Sequence, residues 1–164
     1  MIEGSENCLY LNIYTKDVTA SKPVLFYIHG GSFIAGDPQR LTGEYLLEED
    51  IVLVTVQYRL GPLGWLTTAD GEAPGNYGLQ DQLLALRWVQ QQIGAVGGDK
   101  DIVTLAGFSA GAASVNLLML SPQEVMPTAF GLPYEIDDNG DLHIDWVHNR
   151  IMDGCDDWEN PKLN

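Results

Sequence analysis

The segment Gly107-Phe108-Ser109-Ala110-Gly111 combines residue types and spacing that could do chemistry. It follows an apolar run, Ile102 to Ala106, and leads into the helix-like stretch Ala110 to Leu120. A serine between two glycines at such a strand-to-helix junction is a nucleophile elbow. The chain must reverse within one turn there, so the serine backbone is strained. A side chain at either glycine would collide with the neighbouring strand or helix. The bend lifts the hydroxyl above the sheet edge, where it can attack a carbonyl carbon. The chemistry this announces is acyl transfer.

A second motif, His29-Gly30-Gly31-Ser32-Phe33, directly follows the apolar run Val24 to Ile28. Two bare glycines leave backbone N–H groups close to whatever sits over the sheet edge. Together with the N–H of Ala110, such donors can hold the negative oxygen formed when a serine attacks an ester. Each donor of this kind is typically worth roughly 100- to 1,000-fold in rate. His-Gly-Gly alone is a weak signal, since Gly-Gly after a strand is often only a turn; the elbow two strands later strengthens it.

These motifs need strands and helices to position them. Leu9, Leu11 and Ile13 alternate with Tyr10, Asn12 and Tyr14, the period of a half-buried strand. Val24 to Ile28 and Ile51 to Val56 are continuous apolar runs rich in branched residues, as expected of strands covered on both faces. Leu79, Leu83, Leu86 and Ile93 fall at helical spacing, with Asn76 placed as a cap and Gly97-Gly98 closing the segment. Strand alternating with helix argues for an α/β fold with a mostly parallel central sheet and helices on both faces.

Composition narrows the function classes. The 164 residues are 45% hydrophobic and 19% charged, which fits one globular domain or part of a larger one. No apolar run approaches a membrane span, and no signal peptide opens the chain. A net charge of −15 argues against nucleic-acid or anionic-membrane partners. Neither Cys8 nor Cys155 has metal-ligand neighbours; a disulfide between them is possible and nothing demands it. No cofactor or metal is implied. Residues 1–120 hold 13 acidic and 6 basic side chains, whereas the remaining 44 residues hold 10 and 2. The second stretch also carries breakers such as Pro127, Pro133 and Asn139-Gly140, so a boundary is read near Ser121-Pro122. The domains are therefore 1–122, and an unassigned, irregular acidic tail over 123–164.

The ordered motifs resemble a known family. They are Ser5 to Asn12, His29 to Phe33, Gln57-Tyr58-Arg59-Leu60-Gly61, Gly75 to Gln82, Ala85 to Val89, Gly97-Gly98-Asp99 and Gly107 to Val115. In this order they are similar to the N-terminal part of the type-B carboxylesterases, the cholinesterase-like branch of the α/β-hydrolases. The phenylalanine in the elbow gives an arthropod-like cast. The resemblance implies a partial α/β-hydrolase fold missing later strands, and a small-molecule carboxylic ester as substrate. It makes Ser109 the nucleophile and the backbone amides of Gly31, Ser32 and Ala110 the oxyanion donors. It also implies an acid and a histidine downstream of the serine, in that order. The family pattern stops at Pro122, so both catalytic partners are expected to be absent from this truncated chain, which is then inactive alone. The family is commonly secreted or lumenal, and the localisation of this chain stays open.

Several residues have a plainer reading beside the functional one. Glu124, Glu135, His143 and His148 follow Ser109 in the chain order of a triad, but a working histidine needs rigid support that the tail does not offer, and a solvated acidic segment is expected. His29 is expected to pack and hydrogen-bond locally, shaping the glycine turn. Trp88 is expected in the core. Arg59 and Asp81 read as hydrogen-bonding or ion-pair partners, with substrate contact as the alternative. Ser114 is expected to face the surroundings of the site, and Cys8 to be a free thiol whose family partner lies upstream. A non-catalytic fragment or interaction protein is the alternative to an ester hydrolase. Adhesion relatives usually lose the serine that this chain keeps.

Overall fold

The computed structural model describes residue 5, residues 7–121 and, by their backbone, four short segments at Phe130–Gly131, Tyr134–Ile136, Leu142–Ile144 and Val147–His148. Its centre is a four-stranded sheet of β1 (Leu11–Tyr14), β2 (Lys22–Ile28), β3 (Val52–Val56) and β4 (Gly98–Gly107), in the spatial order β1-β3-β2-β4. β2 runs parallel to both β3 and β4, while β1 closes one edge antiparallel to β3. The sheet is mixed, with a parallel centre. Two antiparallel pairs follow further along, Phe130–Gly131 with Val147–His148 and Tyr134–Ile136 with Leu142–Ile144.

The apolar runs dictate the layering. Every residue of β3 is buried, and Val24, Phe26 and Ile28 of β2 are at most 1% exposed. Their branched and aromatic side chains meet Val103 and Leu105 of β4 in one core. Over them lie α2 (Tyr77–Gln92), through Ala85, Leu86 and Val89, and α3 (Ala110–Met119), through Val115 and Leu118. The two helices sit side by side, since Gln82 Nε2 of α2 donates to Ser114 Oγ of α3 at 3.1 Å. A one-turn helix, α1 (Gly61–Trp65), precedes α2.

Local expectations are met unevenly. Gly97 takes the left-handed conformation, φ 82°, after a 3-10 turn at Ile93–Val96 and so closes the helical segment. Asn76 stands at the start of α2, yet it is itself left-handed (φ 56°) and its side chain makes no capping hydrogen bond. Trp88 is 37% exposed rather than core, because the buried stripe of α2 runs through Gln82, Ala85, Leu86 and Val89 and leaves position 88 at its margin. Leu9 precedes β1 and is exposed, and β1 is half-buried along its whole length instead of alternating.

One register matters most for function. Ile28, the last residue of β2, pairs with Gly107, the last of β4. Parallel strands ending at one level deliver their following turns to the same sheet edge, so the histidine-glycine turn and the serine turn become neighbours.

Candidate active site

Ser109 forms the bend between β4 and α3 with φ 54° and ψ −118°, a conformation that is costly for a residue with a side chain. Its neighbours hold it there. Gly111 N–H donates to Phe108 O at 2.8 Å and Ala113 N–H to Ser109 O at 3.0 Å. Ser109 is exposed, while Ala110 and Gly111 are buried under it. The serine thus points away from the packed helix base, at the N-terminal, electropositive end of α3.

The glycine turn lies directly against this bend. A methyl group on Gly30 would stand 2.5 Å from Phe108 O and 3.1 Å from Ser109 Cβ. Gly31 has φ 122°, and a side chain there would run into the Ala35 carbonyl, so only glycine fits. Ser32 (φ 55°) and Phe33 (φ 60°) follow in the left-handed region, at a cost on the order of 1 kcal/mol each. The strain is opposed by α1: Gly61 N–H and Trp65 Nε1–H both donate to Phe33 O, at 2.7 and 3.1 Å, and the Phe33 and Trp65 rings meet edge to face at 4.6 Å. Among the described residues, no acceptor engages the amide N–H groups of Gly31, Ser32 or Ala110. A cleft of about 450 Å³ opens beside Gly31, its lining including Tyr27, His29, Gly30, Asp37, Leu41 and Phe108. A larger one, about 720 Å³, runs along α2 and α3, and Ser109 is in the lining of neither.

Behind the turn, His29 is only 5% exposed. Its Nδ1 lies 2.8 Å from Gly30 O and its Nε2 2.6 Å from Gln57 Oε1. The Tyr58 ring stacks on it at 4.5 Å, and Tyr58 Oη donates to His29 O at 2.8 Å. Burial pushes the Tyr58 hydroxyl up from 10.0 to about 12, with a smaller push from Tyr27. An acid group raised on folding contributes stability that is fully present below pH 10 and is lost as pH climbs towards 12, because the unfolded chain gives up the proton first. The expected loss is about 1.4 kcal/mol per pH unit at most across that window. Urea unfolding of the parent and Tyr58→Phe between about pH 9 and pH 11 checks it: the phenylalanine variant should be less stable at neutral pH by about 1 kcal/mol and should lack this share of the alkaline slope.

Arg59 and Asp81 form a two-pronged ion pair, Nε to Oδ2 and Nη2 to Oδ1, both 2.7 Å, and Arg59 N–H adds a third bond at 3.0 Å. The pair ties the segment after β3 to α2, and the Asp81 hydrogen bond holds the guanidinium still more firmly protonated. Ser114 is fully buried against Gln82, between helices, rather than facing the site. Cys8 is an exposed free thiol. Glu124 and Cys155 lie outside the described residues, and of Glu135, His143 and His148 only the backbone is described. Sequence reasoning assigned no role to Gln57, Tyr58 or Trp65. The available signal was the polar Gln57 directly after a buried strand that neighbours β2.

A serine on a strand-to-helix bend, beside a glycine turn at the end of the adjacent parallel strand, is the arrangement of serine hydrolases of the α/β class. The chain belongs to the carboxylesterase family, whose model matches residues 1–127. It is 48% identical over 125 residues to juvenile hormone esterase of Tribolium castaneum, covering 74% of this chain and 21% of that protein. Bile salt-activated lipase of Bos taurus is 46% identical over 132 residues (73% and 22%). Acylcarnitine hydrolase of Mus musculus is 49% identical over 122 residues (72% and 22%). The chain spans about a fifth of the length of these curated relatives. Among the described residues, no helix is long and apolar enough to cross a membrane.

Proposed function

We propose that this chain carries the nucleophile and oxyanion half of a carboxylic ester hydrolase built on a partial α/β-hydrolase fold. Ser109 is the nucleophile, and the amides of Gly31, Ser32 and Ala110 bind the oxyanion. The observation that carries the reading is the contact of the glycine turn with the serine bend, with all three amides unengaged among the described residues. Ser109 Oγ bonds to the ester carbonyl carbon, the carbonyl oxygen takes the negative charge, and the amides stabilise it. Collapse expels the alcohol and leaves an acyl-serine, which water hydrolyses. The named relatives act on different esters, so the family supports the reaction class and a small-molecule carboxylic ester, not one compound.

The serine proton needs a base. Among the side chains described, His29 is the sole imidazole, and it is buried with an oxygen at each ring nitrogen. We therefore expect the chain alone to lack turnover. External imidazole can stand in for the base in the acylation step: it takes the Ser109 proton while the acetyl group of p-nitrophenyl acetate moves to Oγ and p-nitrophenolate leaves. Peptide mass spectrometry should find acetyl on Ser109 of the folded chain at least about 10-fold faster than in urea, a modest demand beside the roughly 100- to 1,000-fold of one oxyanion donor. Equal rates would leave the non-catalytic scaffold as the better reading.

A further inference from the structure

We propose that Trp65 fixes and polarises the Ser32 N–H through two peptide groups in line, making it a positioning residue for acyl transfer; this rests on the role of the glycine turn given above. The run starts at the indole. Trp65 Nε1–H donates to Phe33 O at 3.1 Å, beside Gly61 N–H at 2.7 Å. An indole N–H only donates and a carbonyl oxygen only accepts, so atom type alone sets the direction of this bond. The amide on the far side of the same peptide group belongs to Ile34, and it donates to Gly31 O at 3.0 Å. The amide that shares a peptide group with Gly31 O is that of Ser32, an oxyanion donor. The described peptide bonds are trans, so the C=O and N–H of each group point opposite ways, and fixing one fixes the other.

The donors therefore all face one way, from the indole through Phe33–Ile34 and Gly31–Ser32 to the oxyanion. Hydrogen bonds in such a line polarise one another and strengthen the last donor. Gly31 O takes a second bond from Ala35 N–H at 3.0 Å, which steadies the inner peptide group. The outer one needs its own hold, because Ser32 (φ 55°) and Phe33 (φ 60°) both sit in the strained left-handed region. Trp65 is well placed to supply it. Its ring meets that of Phe33 edge to face at 4.6 Å, and Gly78 at the start of α2 leaves room for it, since a Cβ there would stand 2.8 Å from Trp65 Cζ2. Arg59, just before α1, is bound to Asp81 of α2. The indole thus braces the strained turn against α2. A donor locked and polarised before charge develops is one that accelerates acyl transfer.

The test is the imidazole-assisted acetylation of Ser109 by p-nitrophenyl acetate on the full chain, with benzothienylalanine in place of Trp65 alone. This analogue keeps the shape of the indole and puts sulfur where the N–H was. At fixed imidazole and ester the acetylation rate should fall about 3- to 10-fold, the effect of one neutral hydrogen bond, since Gly61 N–H still holds Phe33 O. In ¹⁵N spectra the Ile34 amide signal should move most and that of Ser32 less, while Ala110 stays in place. A merely structural role would slow labelling only by lowering the folded fraction and would not single out that pair. Trp65→Phe keeps an aromatic edge, lacks the N–H and should match the analogue; should it fail to fold, the analogue, which fills the same space, still decides. Parent-rate labelling in the folded analogue chain, or an unmoved Ser32 signal, overturns the proposal. Equal slowing by the same analogue at Trp88, on the margin of α2, overturns it as well. A parent chain that labels no faster folded than in urea defeats the oxyanion reading itself, and the role of Trp65 falls with it.

Discussion

Alanine at Gly111 is expected to cost this fold on the order of 3–5 kcal/mol, enough to unfold a marginal domain. The added methyl would sit inside the van der Waals envelope of Ile28 O and stand 2.8 Å from Ile28 C and 2.9 Å from His29 O. These obstacles are backbone atoms of the central strand, so no rotamer change relieves them. Relief requires α3 to lift off β2, and Val115 and Leu118 would leave the core with it. Gly107 faces the same junction from the other side, since its Cβ would collide with the Gly111 carbonyl. Ordinary overpacking costs about 1–3 kcal/mol because side chains yield; a rigid backbone on both sides moves the estimate upward. Urea or thermal unfolding followed by circular dichroism measures it. Gly94→Ala is the control: nothing lies within 4 Å of a Cβ at Gly94, so that change should shift stability by less than about 1 kcal/mol. A Gly111→Ala chain as stable as the Gly94→Ala chain would mean that β4, Ser109 and α3 do not meet β2 as described.

The second large effect concerns turnover. Without added base, the isolated chain is expected to hydrolyse p-nitrophenyl acetate barely above the buffer reaction, and Ser109→Ala should make almost no difference. Loss of one member of a serine-histidine-acid group lowers turnover on the order of a million-fold, since the nucleophile keeps its proton. Deacylation suffers equally, because water attacking the acyl-serine needs the same base. Both ring nitrogens of His29 are within 2.8 Å of other oxygens, so the one imidazole among the described side chains is already engaged. Stopped assays of p-nitrophenolate release, parent beside Ser109→Ala, decide the matter. A parent rate within about a hundredfold of a complete esterase, abolished in Ser109→Ala, would show that a base acts on Ser109 after all.

The elbow, the apolar strands and the glycine that closes the helical segment were legible in sequence because each is a local matter. Gly107, Ser109 and Gly111 mark a sharp bend by residue type. Val52–Val56 marks a doubly covered strand by its unbroken apolar run. Gly97 marks a left-handed stop by lacking a Cβ. The resemblance of the ordered motifs added the acyl-serine chemistry, and the match over residues 1–127 bears out the family. Tertiary structure decided everything that depends on which strand lies beside which. The order β1-β3-β2-β4 is not the chain order, and only the pairing of Ile28 with Gly107 sets the glycine turn against the serine. That same neighbourhood brings Gln57, at the end of β3, to the imidazole at the end of β2. Periodicity along a chain reports which face of an element is apolar; it carries no register between strands far apart in sequence, and the distances that make a site are register distances.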